Sequence, residues 1–230
     1  MKLKYLILPV MLIITSCSMS KDAAKINIIH QTSETEYSQT DVQRLQFGKI
    51  GSPEYTETVN AQLNEEMEAS LAAFDKDAQE NKDELPEESK SVFDVLQEIK
   101  YNKNDFVSVL EEQYTYTGGA HGMTVRTGRN YDVLLEKELA LGDLFSEEGW
   151  QEALNNYMHR LEEEHAEEYA QLWSEPKVKD NQDFYITDED LVLFYQPYEL
   201  SYYARGFVEF PIRLSDIRGY LKEDYYRLVP

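Results

Sequence analysis

The chain has 230 residues, with 22 basic against 44 acidic side chains, a formal net charge of −22 at pH 7 and one cysteine. So large an acidic excess argues against nucleic acid as a partner, because phosphate contacts dominate that affinity and demand cations, and it disfavours docking on anionic lipid. It favours attraction of cationic partners at rates that fall with salt, and it also serves plain solubility.

The first element is Met1-Lys2-Leu3-Lys4, followed by an apolar run from Tyr5 to Ile14 and then Thr15-Ser16-Cys17. A basic start, an apolar core of about ten residues and small residues after it make a secretory signal, too short to span a bilayer. Ile14-Thr15-Ser16-Cys17 resembles the lipobox of bacterial lipoproteins. In that family the chain is cut before the cysteine and the thiol is acylated. The resemblance therefore makes 1–16 a lipoprotein signal peptide, Cys17 the lipidation site, and 17–24 a polar tether. It implies attachment to a membrane through more than one acyl chain, which stable anchoring needs. Removing 1–16 takes away Lys2 and Lys4, leaving 20 basic and 44 acidic residues, a net −24. What remains is long enough to bury roughly 70% of its unfolded surface. It has no cysteine for a disulfide, a thiolate nucleophile or a zinc–sulfur site.

Lys25–Tyr37 and Val42–Ile50 read as strands. Ser52 suits an N-cap, Pro53 the first helical position and Glu54 the positive end of the dipole. A helix is expected over 53–79, with Val59, Leu63, Met67, Leu71 and Phe74 as its buried stripe. Residues 81–90 are acidic, contain Pro86 and read as a loop. Two strands follow over 91–101 and 105–117, joined by Asn102-Lys103-Asn104 as a hairpin, and a third over 123–135. Leu139–Phe145 is a short connection packing inward. Ser146 is expected to cap a second helix reaching Leu172, ended by Pro176. Strands over 183–187, 191–195 and 203–212 and a short helix over 215–221 close the chain. Hairpin signals dominate, so the fold class is α+β, antiparallel meanders with helices packed on one face. The expected organisation is an N-terminal lobe over 25–90 around the long helix and a C-terminal domain over 91–230.

The stretch Tyr114–Gly122 has Gly118, Gly119 and Gly122 around His121, between two strands. With it go Tyr131-Asp132-Val133, Leu139–Phe145, Phe184-Tyr185, Phe194–Tyr198 and Ala204-Arg205-Gly206, and more weakly Pro53–Leu63. Together these resemble the RsiV-like domain of unknown function, which also occurs in the non-catalytic part of the peptidoglycan deacetylase PdaC. The resemblance covers most of residues 40–222. It implies binding of lysozyme, a strongly basic protein, or of peptidoglycan. Anti-sigma signalling is not carried over, because no cytoplasmic arm or membrane-spanning helix is expected, and no deacetylase domain follows.

His121 has three readings: a structural histidine that pins its loop through a nearby carbonyl, a contact for a partner at a turn tip, or a catalytic base. A triad needs a nucleophile and an acid, and no G-x-S-x-G motif is present. Gly118 and Gly119 allow a backbone nest, but no phosphate-loop motif accompanies them. Glu162 and His165 have the spacing of a helical metal pair without a second Glu-x-x-His. Asp188-Glu189-Asp190 lacks the calcium-loop spacing. No metal and no cofactor is therefore expected. Tyr195, Pro197, Tyr198, Tyr202 and Tyr203 form an aromatic cluster by a loop. Exposed tyrosines suit protein or sugar contacts, since they bring area at little entropy loss, while core packing is their other fate. The expected partner-binding residues are His121, Gly118, Gly119, Tyr198 and Tyr202. The expected function is a lipid-anchored envelope binding module and not an enzyme. Its alternatives are a hydrolase with a site around His121 and the acidic residues 188–190, or an envelope structural lipoprotein with no dedicated ligand.

Overall fold

The computed structural model describes the backbone of Met11–Ile13 and residues 23–86, 89–146, 148–179 and 181–230. Cys17 and the rest of the expected leader and tether up to residue 22 lie outside the described residues. Ten strands and three α-helices are described: β1 (Met11–Ile13), β2 (Lys25–Glu34), β3 (Ser38–Lys49), α1 (Pro53–Asn81), β4 (Ser91–Lys103), β5 (Phe106–Tyr116), β6 (Met123–Asp132), β7 (Lys137–Glu138), α2 (Trp150–Glu164), β8 (Phe184–Ile186), β9 (Asp190–Tyr195), β10 (Val208–Arg213) and α3 (Leu214–Ile217). Strands β1 to β7 follow sequence order in one sheet, and β10-β9-β8 form a second. The fold is α+β with mostly antiparallel pairing, as the alternation and turns imply.

The chain forms two compact units. The first holds residues up to Glu98 together with 111–126, and the second holds 99–110 and 127–230. The division therefore falls within β4, β5 and β6, not at the acidic loop 81–90.

In the first unit β2 pairs antiparallel with β3, while β3 and β4 run parallel, with Ser38 opposite Ser91 and Gln43 opposite Leu96. This is the one departure from the expected meander, and α1 explains it: a parallel pair requires a crossover, and a 29-residue helix supplies it. Helix α1 starts where Ser52 predicts, its hydroxyl accepting from the Tyr55 N–H at 3.2 Å with Pro53 following. Met67, Phe74 and Ala78 pack on Val42, Phe93 and Val95. Because side chains alternate along a strand, Asp41 and Asp94 point to the face away from the helix.

In the second unit the turn between β4 and β5 is Asn104-Asp105, with φ of 54° and 53°. Two left-handed central residues are the type I′ pattern, which Asn and Asp tolerate. Helix α2 differs from expectation at both ends. Gly149 (φ 89°), not Ser146, is its N-cap, and it stops at Glu164. The Ser146 N–H instead donates to the Tyr220 carbonyl at 3.0 Å. The run Glu162-Glu163-Glu164 places three negative charges at the negative end of the dipole, so the apolar spacing that continues through Tyr169 and Leu172 is met by turns. Leu154 and Met158 of α2 enter a core with Phe184, Ile186, Leu193, Phe210 and Leu214.

A buried polar chain crosses this unit. The Ser108 hydroxyl donates to Asn130 Oδ1 at 2.7 Å and accepts from the Ile186 N–H at 2.9 Å, and Asn130 Nδ2 donates to the Phe184 carbonyl at 2.9 Å. Gly128 makes this approach feasible, since a Cβ there would sit 1.9 Å from the Phe184 carbonyl oxygen. Asp132, wholly buried, accepts from the Leu134 and Leu135 N–H groups and pairs with Arg227 at 2.7 Å.

Candidate binding surfaces

The glycine turn lies in the first unit. Gly118 and Gly119 have φ of 124° and 85°, so they carry the reversal between β5 and β6 that side chains resist. The Tyr116 hydroxyl donates to the Gly119 carbonyl at 3.2 Å. His121 is exposed, and its Nδ1 lies 2.8 Å from the Gly122 carbonyl oxygen, which can only accept, so Nδ1 carries the proton there. The acidic residues 188–190 belong to the second unit. Asp188 pairs with Lys103 at 2.8 Å, and Glu189 and Asp190 both pair with Arg213. Among the described residues no group of three or more His, Cys, Asp or Glu side chains gathers as a metal site would. His159 is held by Glu162 at 3.1 Å and Glu175 at 2.8 Å.

Sequence reasoning did not single out an acidic concavity on the first unit. On the sheet face away from α1, a groove of about 490 Å³ in the first unit is lined by His30, Asp41, Gln43, Asp94, Glu112 and Tyr114, among others. A second hollow of about 390 Å³ shares Asp41 and Asp94 with it. Strand alternation marks these side chains as outward. Their convergence depends on the β3–β4 register, which sets Asp41 directly opposite Asp94. His30 Nε2 lies 2.5 Å from Asp41 Oδ1, and Arg126 pairs with Glu112 at 2.6 Å. Asp94 has no cation beside it among the described residues. Partial burial first, and the facing Asp41 carboxylate second, raise its pKa above the usual aspartate range. The groove thus holds an uncompensated carboxylate that would gain from a positive group supplied from outside.

The second unit carries the aromatic loops. Of the expected cluster, Tyr195 is buried, its hydroxyl donating to the Lys177 carbonyl at 2.9 Å. Tyr198 and Tyr202 remain 48% and 45% exposed, and Trp173, 56% exposed, joins them from the preceding loop. The two loops are stitched together. The Trp173 N–H donates to the Leu200 carbonyl at 3.0 Å, its indole Nε1 to the Glu199 carbonyl at 3.2 Å, and the Ser201 hydroxyl to the Gln171 carbonyl at 3.2 Å. The Tyr202 hydroxyl donates to Gln171 Oε1 at 2.8 Å, and Arg205 binds the carbonyls of Ala170 and Glu168. Gln171 and Tyr198 both adopt left-handed backbone, with φ of 70° and 71°.

The family model described as Deacetylase PdaC matches residues 31–124, and that of the protein of unknown function DUF3298 matches residues 142–215. Residues 142–215 are thus similar to DUF3298 domains. Peptidoglycan-N-acetylmuramic acid deacetylase PdaC of Bacillus subtilis (strain 168) is 26% identical over an alignment of 184 positions that covers 70% of this chain and 38% of that protein. The chain thus spans less than two fifths of that relative. A crystal structure of a DUF3298 family member from Bacteroides fragilis NCTC 9343 aligns over 91% of this chain and 98% of its own, with a TM-score of 0.70 at 18% identity. A second DUF3298 family structure, from Pseudomonas aeruginosa PAO1, aligns over the same shares with a TM-score of 0.64 at 20% identity. These likenesses establish the fold. The PdaC-family match takes in the acidic groove apart from His30, and the DUF3298 match takes in the aromatic loops.

Proposed function

We propose that this chain is a lipid-anchored binding module of the bacterial envelope that captures a strongly basic protein, with lysozyme as the type of partner. The observation that carries the reading is the groove on the first unit, where Asp94 faces Asp41 and has no cation of its own among the described residues. A lysine or arginine entering there relieves a repulsion that the free protein sustains, and the net charge of −22 draws cations toward it. Anchoring through Cys17 would hold the module at the membrane, and labelling with palmitate that disappears in Cys17→Ser tests that part. Binding, and not turnover, is the activity we assign. His121 is engaged with the Gly122 carbonyl, and residues 188–190 are paired with Lys103 and Arg213.

Calorimetric titration of the full chain with lysozyme at low ionic strength tests the reading. Saturable association that weakens as salt is added supports it, and no heat of binding at low salt removes this partner. Peptidoglycan is a second partner of the same module, favoured by the exposed rings of Trp173, Tyr198 and Tyr202, and is tested by sedimentation with insoluble sacculi.

A further inference from the structure

Three large aromatic side chains on the two stitched loops of the second unit, Trp173, Tyr198 and Tyr202, are exposed to water. Burying a tyrosine or tryptophan stabilises a fold substantially, so their exposure costs stability. The loops that bear them are also held in sparsely populated backbone. A bulky residue with φ near +70° is strained, and such strain persists only where surrounding structure over-determines it. Here it does. The Trp173 N–H, the Ser201 and Tyr202 hydroxyls and the Arg205 guanidinium all cross between the loops. Tyr198 lies against Tyr203 with ring centroids 5.6 Å apart.

Two of the rings have already spent their polar edges. The indole N–H is bound to the Glu199 carbonyl and the Tyr202 hydroxyl to Gln171. What these rings still offer an incoming molecule is chiefly their faces. A ligand that uses ring faces, and needs no deep pocket, is a sugar chain. One side of a pyranose ring is a patch of C–H bonds, apolar and slightly positive, complementary to the negative face of an aromatic ring. The Gln171 amide beside Tyr202 adds a group that can hydrogen-bond sugar hydroxyls or N-acetyl groups. Each sugar–ring contact is weak, so such a site needs its rings fixed in advance to avoid the entropy of ordering them, and the stitching does this.

We propose that Trp173, Tyr198 and Tyr202 form a stacking platform for an N-acetylated aminosugar chain, separate from the acidic groove. This rests on the reading of the chain as an envelope binding module and gives that module a glycan site of its own. The probe is the soluble hexamer of β-1,4-linked N-acetylglucosamine, titrated into the full chain by calorimetry, with lysozyme titrated in parallel. The expected result is saturable binding that changes little with salt. Trp173→Ala and Tyr202→Ala should each weaken it at least fivefold, Trp173→Phe should retain most of it, and all three should keep wild-type circular dichroism and lysozyme affinity. Trp150 is stacked on Phe145 at 4.6 Å, so Trp173, the other of the two tryptophans, should report the sugar by a blue shift in fluorescence. Absence of hexamer binding alongside intact lysozyme binding would overturn the glycan site and leave the module reading standing. Equal hexamer affinity in Trp173→Ala, or loss of lysozyme binding in that variant with sugar binding intact, would also overturn it.

Discussion

Asp94→Asn should make the free protein more stable and its capture of cations weaker, two effects from one atom change. Asp94 faces Asp41 across a parallel pair; like charges directly opposite are destabilising, and exposed charge pairs interact by roughly 0.2–1 kcal/mol. The side chain is exposed enough for water to screen it, so about 0.5 kcal/mol is the reasonable share. In a protein of this size that is a rise of roughly 1–2 °C in Tm. The pH dependence fixes the cause. Burial and the Asp41 charge raise the Asp94 pKa in the folded state, so the folded chain binds this proton more tightly than the unfolded chain. The proton-bound form is favoured below the ordinary aspartate value, and that advantage is lost as pH rises through the folded-state pKa. The variant's gain should therefore be full at neutral pH and shrink to nothing below about pH 3.9. Differential scanning calorimetry across that range measures it. A variant less stable than wild type at neutral pH, or a gain independent of pH, would refute the reading of Asp94 as an uncompensated carboxylate facing Asp41.

Other consequences follow from the second unit. Arg227→Ala leaves the wholly buried Asp132 with only its two backbone donors, and chemical denaturation should show a loss of about 2–3 kcal/mol. Gly128→Ala pushes a methyl into the Phe184 carbonyl and should cost about 3 kcal/mol or more, visible as poor expression or a collapsed Tm. Burial raises the hydroxyl pKa of Tyr169 and Tyr225 to about 12, and that of Tyr195 further. Their contribution to stability is intact below the ordinary tyrosine value near 10 and lost as pH climbs through 12. An ultraviolet titration should accordingly show most of the 17 tyrosines ionising first and a late group ionising together with unfolding.

Local chemistry made some elements legible. Ser52 and Pro53 mark the start of α1, and the stripe from Val59 to Phe74 marks its buried side, because capping and periodicity are written within a few residues. The alternation of Phe93 and Val95 with Asp94 shows which side chains face outward. It does not show that Asp41 lies opposite, since that depends on a parallel pairing made across a 29-residue helix. The overlong expectation for α2 has the same root. The spacing of Leu161, Tyr169 and Leu172 reads as helix, but the charges of Glu162–Glu164 and tertiary packing end it at Glu164. Tyr198 and Tyr202 were visible as loop tyrosines. Trp173 gave no signal, because nothing local distinguishes an exposed tryptophan from a buried one. It becomes a candidate only when its N–H groups are seen tied to the carbonyls of Glu199 and Leu200.

We place the contact between this module and a basic partner at the groove around Asp41 and Asp94. Lysozyme titrated into wild type and into Asp41→Asn/Asp94→Asn, at low and at physiological salt, tests it most directly. Each rim carboxylate accounts for up to roughly fivefold in affinity. The double variant should therefore bind more weakly at low salt and differ less from wild type when salt screens both. Equal affinity at every salt concentration would place the contact elsewhere on the molecule and contradict the account.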